Sequence, residues 1–153
     1  MDGTRYEFLT ELLTTPSPSG YETRGQRVWL EYVSEFADRT RTDAYGNVVA
    51  VHEGSGDGPE FAVAGHADEV GMVVRDVTDE GFLRVGPIGG VDRTVSKGQH
   101  VVVHAAESVP GVVGQTAIHL RDPEEESVDD VTEQFVDVGA SDADEARELV
   151  EVG

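Results

Sequence analysis

The chain contains no cysteine, which excludes disulfides, thiolate metal sites and a cysteine nucleophile. Basic charge is scarce. Eleven Lys and Arg stand against 31 Asp and Glu, for a formal net charge of −20 in 153 residues, and Lys97 is the sole lysine. So acidic a surface repels nucleic-acid phosphates and anionic lipid, so neither nucleic acid nor membrane is an expected partner. Long apolar runs are missing too: no window approaches the ~18 residues of a membrane-spanning helix. The first residues lack a basic-then-apolar signal, and the sequence reads as cytoplasmic. There is no Gly-x-Ser-x-Gly elbow for serine hydrolysis. The glycines from Gly86 to Gly90 lack the GxGxxG-then-helix pattern of a dinucleotide site and read as a barrel turn.

What is present is enough for a folded protein: hydrophobic residues make up 38% of the chain, sufficient to bury a core. The acidity reads as a solvated surface suited to high salt, where self-repulsion is screened. The near absence of lysine resembles the bias of salt-loving archaea. The alternative, cation binding by the acidic runs at 124–126 and Asp129-Asp130, lacks the ligand spacing and glycine of a calcium loop.

Phe8, Leu9, Leu12 and Leu13 fall on one helical face and predict a helix over residues 4–15, broken by Pro16-Ser17-Pro18-Ser19-Gly20. Ser19-Gly20-Tyr21-Glu22 fits a capping box, with Ser19 as N-cap and Glu22 as N3. Val28, Trp29, Tyr32, Val33 and Phe36 form the core-facing stripe of the helix that follows. Residues 40–43, 48–52 and 60–65 read as strands, separated by strong turn chemistry. Beyond residue 70 helical periodicity fades. Short strands are expected over 70–77, 81–85, 99–104 and 111–115, with connections at Asp79-Glu80-Gly81 and Ser108-Val109-Pro110-Gly111, as in a small β-barrel or sandwich. Helical signal returns after the Ser141-Asp142 cap, so the β segment reads as an insertion.

The stretch Phe61-Ala62-Val63-Ala64-Gly65-His66-Ala67-Asp68-Glu69-Val70-Gly71 begins as an apolar run resembling a buried strand and ends in an imidazole and two carboxylates. Open α/β sheets place their chemistry at such strand ends. His-x-Asp puts both side chains on one side of an extended backbone. His66 could then bind a metal while the carboxylate of Asp68 orients it, or it could be a satisfied structural histidine. Glu69 should point the other way from Asp68 and is set aside as a general base. His119 reads as structural. His52, His100 and His104 alternate with valines and read as outward-facing.

Six motifs occur in the order seen in the tetrahedral (TET) dinuclear-metal aminopeptidases, which the chain resembles along almost its whole length. They are Pro18-Ser19-Gly20-Tyr21-Glu22, Asp43-Ala44-Tyr45-Gly46-Asn47, Gly65-His66-Ala67-Asp68-Glu69-Val70-Gly71, Val85-Gly86-Pro87-Ile88-Gly89-Gly90, Gly111-Val112-Val113-Gly114 and Val136-Asp137-Val138-Gly139-Ala140. The resemblance implies an α/β class. Residues 1–68 would be the N-terminal part of a zinc-exopeptidase-like α/β catalytic layer, and 69–153 an inserted β-barrel dimerisation-type domain. It implies a metal-ligand role for His66, a catalytic, histidine-orienting role for Asp68, zinc or cobalt as cofactor, peptides as substrates and homo-oligomers, dimeric or dodecameric. It also implies that the general base and most metal ligands lie beyond residue 153, so that the chain alone is expected to be incomplete and inactive. The alternative is a non-catalytic oligomerisation or regulatory subunit retaining the β domain. A different dinuclear-zinc exopeptidase or deacylase is disfavoured by the β segment directly after His66. The chain departs from the family at Thr116-Ala117-Ile118-His119, where a proline pair more often precedes the histidine.

Overall fold

A computed structural model describes residues 3–56, 58–120 and 129–153. The chain divides into two units, Met1–Glu69 and Val70–Gly153. The acidic run at 124–126 lies outside the described residues.

In the first unit, α1 (Gly3–Thr14) ends just ahead of Pro16. The hydroxyls of Thr14 and Thr15 donate to the carbonyls of Thr10 and Glu11, both at 2.8 Å, as second donors in the last turn, the Glu11 carbonyl also accepting the Thr15 N–H at 3.0 Å. In α2 (Thr23–Ser34) Val33 is buried. The Phe8 ring stacks on Tyr32 with centroids 3.8 Å apart, and Phe36 meets Tyr32 edge-on. Strands β1 (Arg39–Thr42) and β2 (Val48–Val51) pair antiparallel, Arg39 opposite Val51 and Thr42 opposite Val48. Their turn is built on Asp43, whose carboxylate accepts the backbone N–H of Tyr45 and Asn47 and the Asn47 side-chain amide. Gly46 completes it at φ 85°, a conformation that favours glycine.

Two expectations fail here. Residues 60–65 do not form a strand: they have no ladder partner among the described residues, and Phe61 and Val63 are 87% and 100% exposed. An apolar run becomes a buried strand only with neighbours at its edges and layers on its faces, and the sheet described in this unit is the β1–β2 pair alone. The capping box does not form either. The residue preceding α2 is Glu22, with no side-chain cap. The Glu22 carboxylate reaches back to the N–H of Gly20, while the Ser19 hydroxyl has a partner of its own, described below.

The second unit is built on an antiparallel five-stranded sheet ordered β3-β4-β7-β6-β5. The strands are β3 (Gly71–Val77), β4 (Leu83–Ile88), β5 (His100–His104), β6 (Ser108–Gly114) and β7 (Phe135–Asp137). Short α3 (Arg93–Ser96) precedes β5. Asp142 caps α4 (Ala143–Leu149), its carboxylate accepting from the N–H of Asp144 and Glu145 at 3.0 Å each. Leu83, Val113 and Val136 are almost fully buried on three adjacent strands, and Val131, Ala146 and Val150 join the same core. Each large apolar side chain so buried contributes about 1.5–3 kcal/mol.

The fold class is thus mixed α/β, but the sheet is open. Among the described residues no ladder joins β3 to β5 to close a barrel. The Thr78–Phe82 turn forms where expected, with Gly81 at φ 86°. Residues 108–111, expected as a connection, instead belong to β6. Proline is tolerated at 110 because β7 pairs with residues 112–114 and stops short of it. Strand β7, unpredicted, sits between β4 and β6. It runs into a polar knot: Gln134, fully buried, accepts from the Ser96 hydroxyl at 2.7 Å and donates to the Arg93 carbonyl at 3.0 Å.

Candidate functional site

The site is made where two distant segments of the first unit lie side by side. Pro16-Ser17-Pro18-Ser19 pairs with Ala67-Asp68-Glu69 through a single parallel bridge, Pro18 opposite Glu69. The Glu69 N–H donates to the Ser17 carbonyl at 2.9 Å, and the Ser19 N–H to the Glu69 carbonyl at 3.3 Å. Side chains complete the clamp. The Ser17 hydroxyl donates to the Ala67 carbonyl at 2.9 Å, and the Glu69 carboxylate accepts the Ser17 N–H at 2.8 Å. Ser17 is buried, and α2 makes room for it with Gly25. A Cβ at position 25 would stand 2.7 Å from the Ser17 hydroxyl oxygen. A glycine inside a helix costs about 1 kcal/mol relative to alanine, and here it is retained for that close approach.

Held by this clamp, His66 and Asp68 meet. The His66 Nδ1 lies 2.9 Å from Asp68 Oδ1 and 2.9 Å from the Asp68 backbone oxygen. A carbonyl oxygen and an ionised carboxylate can only accept, so Nδ1 carries a proton, and the neutral tautomer that matches this geometry has its lone pair on Nε2. The other Asp68 oxygen, Oδ2, accepts the Ser19 hydroxyl at 2.5 Å. The Ser19 hydroxyl foremost, and then the His66 ring, hold the Asp68 carboxyl below the usual carboxylate range. The imidazole itself is open, with 85% of its side chain exposed.

This arrangement suits a divalent metal as far as it goes. An imidazole whose Nδ1–H is fixed by a carboxylate presents Nε2 as a ligand. It supplies one ligand, however. No group of three His, Cys, Asp or Glu that could hold a metal occurs among the described residues, and a catalytic zinc takes about three protein ligands. A cleft of about 220 Å3 adjoins the dyad, lined by Leu12, Leu13, Trp29, Asp68 and Glu69 among others. Trp29, expected in the core, is half-buried at its wall.

The structure thus brings His66 and Asp68 together and ties Glu69 to the backbone of Ser17. His52 instead pairs with Asp38 at 3.2 Å on the surface, and His100 and His104 point outward on β5. His119 is exposed in a short 3-10 turn. Sequence reasoning missed Ser17, Ser19 and Gly25. Their partners lie far away in the chain, and the one available signal was the prolines that flank Ser17.

Residues 46–153 match the M42 glutamyl aminopeptidase family. The lysyl aminopeptidase of Pyrococcus furiosus is 34% identical over 149 residues, covering 94% of this chain and 42% of that protein. A TET aminopeptidase structure from a marine-sediment thaumarchaeon superposes with a TM-score of 0.89 at 33% identity, covering 98% of this chain and 43% of the other. The TET1 peptidase of Pyrococcus horikoshii, which assembles into a tetrahedron or a large octahedral shell, gives 0.74 at 35% identity, covering 96% and 44%. The chain spans about 42% of the length of the curated relatives it matches. With the family's residues matched over most of its length and its fold shared, the chain belongs to the M42 aminopeptidases and corresponds to their N-terminal part.

Proposed function

We propose that this chain supplies one wall of the metal site of an aminopeptidase that removes N-terminal residues from peptides. The observation that carries the reading is the doubly accepted Nδ1–H of His66, which leaves Nε2 free to ligate. Asp68 is the carboxylate that orients His66, and in this reading it serves catalysis through that histidine. Zinc or cobalt suits a neutral imidazole. When bound, a pair of such ions supplies Lewis acidity and an activated water. The residues of this chain fix the ring and line the adjoining cleft. Further ligands and the general base come from residues outside this chain.

In the same reading residues 1–68 are the N-terminal part of the catalytic α/β domain, and 69–153 a β-barrel-type dimerisation domain inserted in it. The oligomeric relatives support self-association into dimers and dodecamers. Among the described residues no helix is long and apolar enough to cross a membrane, in keeping with work in a cytoplasm, and the charge suits a salty one.

The test is peptide hydrolysis with zinc or cobalt in molar salt. Residues 1–153 are assayed alone and mixed with the C-terminal part of an M42 relative. Activity is expected only in the mixture and should be lost with His66→Ala. Hydrolysis by residues 1–153 alone would overturn the shared-site reading.

A further inference from the structure

We propose that Ser19 is the positioning residue that sets the His66 tautomer, acting through the second oxygen of Asp68. The inference rests on the reading of His66 as a metal ligand and adds a third member to that arrangement.

The argument begins with the carboxylate. The Asp68 side chain is 39% exposed, so water competes with its protein partners for the carboxylate oxygens. One of its oxygens faces His66 Nδ1 at 2.9 Å and the other the Ser19 hydroxyl at 2.5 Å. A planar carboxylate bound at both oxygens has its rotation fixed, and only then does Oδ1 stay aimed at the ring.

Ser19 is in turn held by the backbone. Its N–H is bound to the Glu69 carbonyl, Pro18 restricts the backbone on one side, and Gly20 turns the chain at φ 92° on the other. The loop itself is kept in register by the Ser17–Ala67 and Ser17–Glu69 bonds. Its position is therefore settled without the Ser19 hydroxyl, and that hydroxyl is available for orienting Asp68. A serine that merely stitched the two segments together would need no such aim, since four other bonds already do so.

Long-range proton–nitrogen NMR on the metal-free chain 1–153, at about pH 8.5 where an ordinary imidazole is neutral, reads the tautomer directly. The Nδ1–H form of His66 is expected to dominate. Ser19→Ala should lower its ratio to the Nε2–H form about threefold to tenfold, the scale of one net hydrogen bond, and Ser19→Thr should restore it. A ratio unchanged in Ser19→Ala, or equally reduced in Ser19→Thr, overturns the proposal. Should Ser19→Ala erase the Ser17 and Glu69 amide signals, Ser19→Cys, with similar shape and a weaker donor, takes its place, and an unchanged ratio there overturns it equally. Zinc titration of the same samples tests the other reading separately. If zinc leaves the Nε2 signal untouched while the ratio still answers to Ser19, the ligand role of His66 falls and the positioning stands.

Discussion

At the scale of single residues, acidic side chains in this protein do local backbone work. Asp43 closes the β1–β2 turn, and its carboxyl is held below its ordinary value of 3.8, chiefly by the Asn47 side chain and also by the N–H groups of Tyr45 and Asn47. A carboxyl depressed in the folded state adds stability that is fully present above its unfolded pKa and is lost as pH falls through the folded one. The hairpin should therefore loosen below about pH 4, the usual range of an aspartate. Asp43→Asn should flatten that part of the acid-unfolding curve, followed by circular dichroism. An unaltered acid limb in the variant would contradict the assignment. The dyad itself was legible because His-x-Asp on an extended backbone brings the two side chains to one side, and here they meet at 2.9 Å. Ser19 was not, because its partner stands 49 positions away. Its sequence neighbours offered a more local role, the capping of α2.

Among the elements, those set by nearby residues were readable and those set by distant ones were not. Helices α1 and α4 follow from apolar spacing, a proline stop and an aspartate cap. Strand β7 is three residues long and owes its existence to the neighbours on both sides, which no local pattern announces. The stretch at 60–65 is the converse, an apolar pattern with no ladder partner among the described residues. The β6–β7 junction shows how tight such a non-local pairing is. A Cβ on Gly114 would lie only 2.1 Å from the Phe135 ring. Gly114→Ala should destabilise the second unit by about 1–3 kcal/mol, the cost of overpacking. Gly90→Ala, with nothing within 4 Å of the added carbon, should change stability by less than about 0.5 kcal/mol. Urea unfolding of the two variants makes the comparison, and equal midpoints would refute it.

On the scale of the whole molecule, charge dominates. Twenty net negative charges on 153 residues repel one another over a screening length of about 10 Å at 0.1 M salt and about 3 Å at 1 M. Raising potassium chloride across that range should therefore raise the thermal midpoint. A midpoint that stays level or falls, measured by calorimetry, would show that self-repulsion is not what limits stability. The two compact units meet in sequence at Glu69 and Val70, and the sequence changes there from helical periodicity to short apolar runs. The strand order of the second unit was not visible, since it depends on how distant strands meet.

The clamp between residues 17–19 and 67–69 also has a consequence in time. Its bonds join positions 49 to 52 apart, so they close a long loop whose entropic cost is met only when the intervening chain is already compact. The His66–Asp68–Ser19 arrangement is thus expected late in folding. It should form after α2 and the β1–β2 hairpin have collapsed. In a chain caught midway through refolding, the imidazole would still be free to take either tautomer.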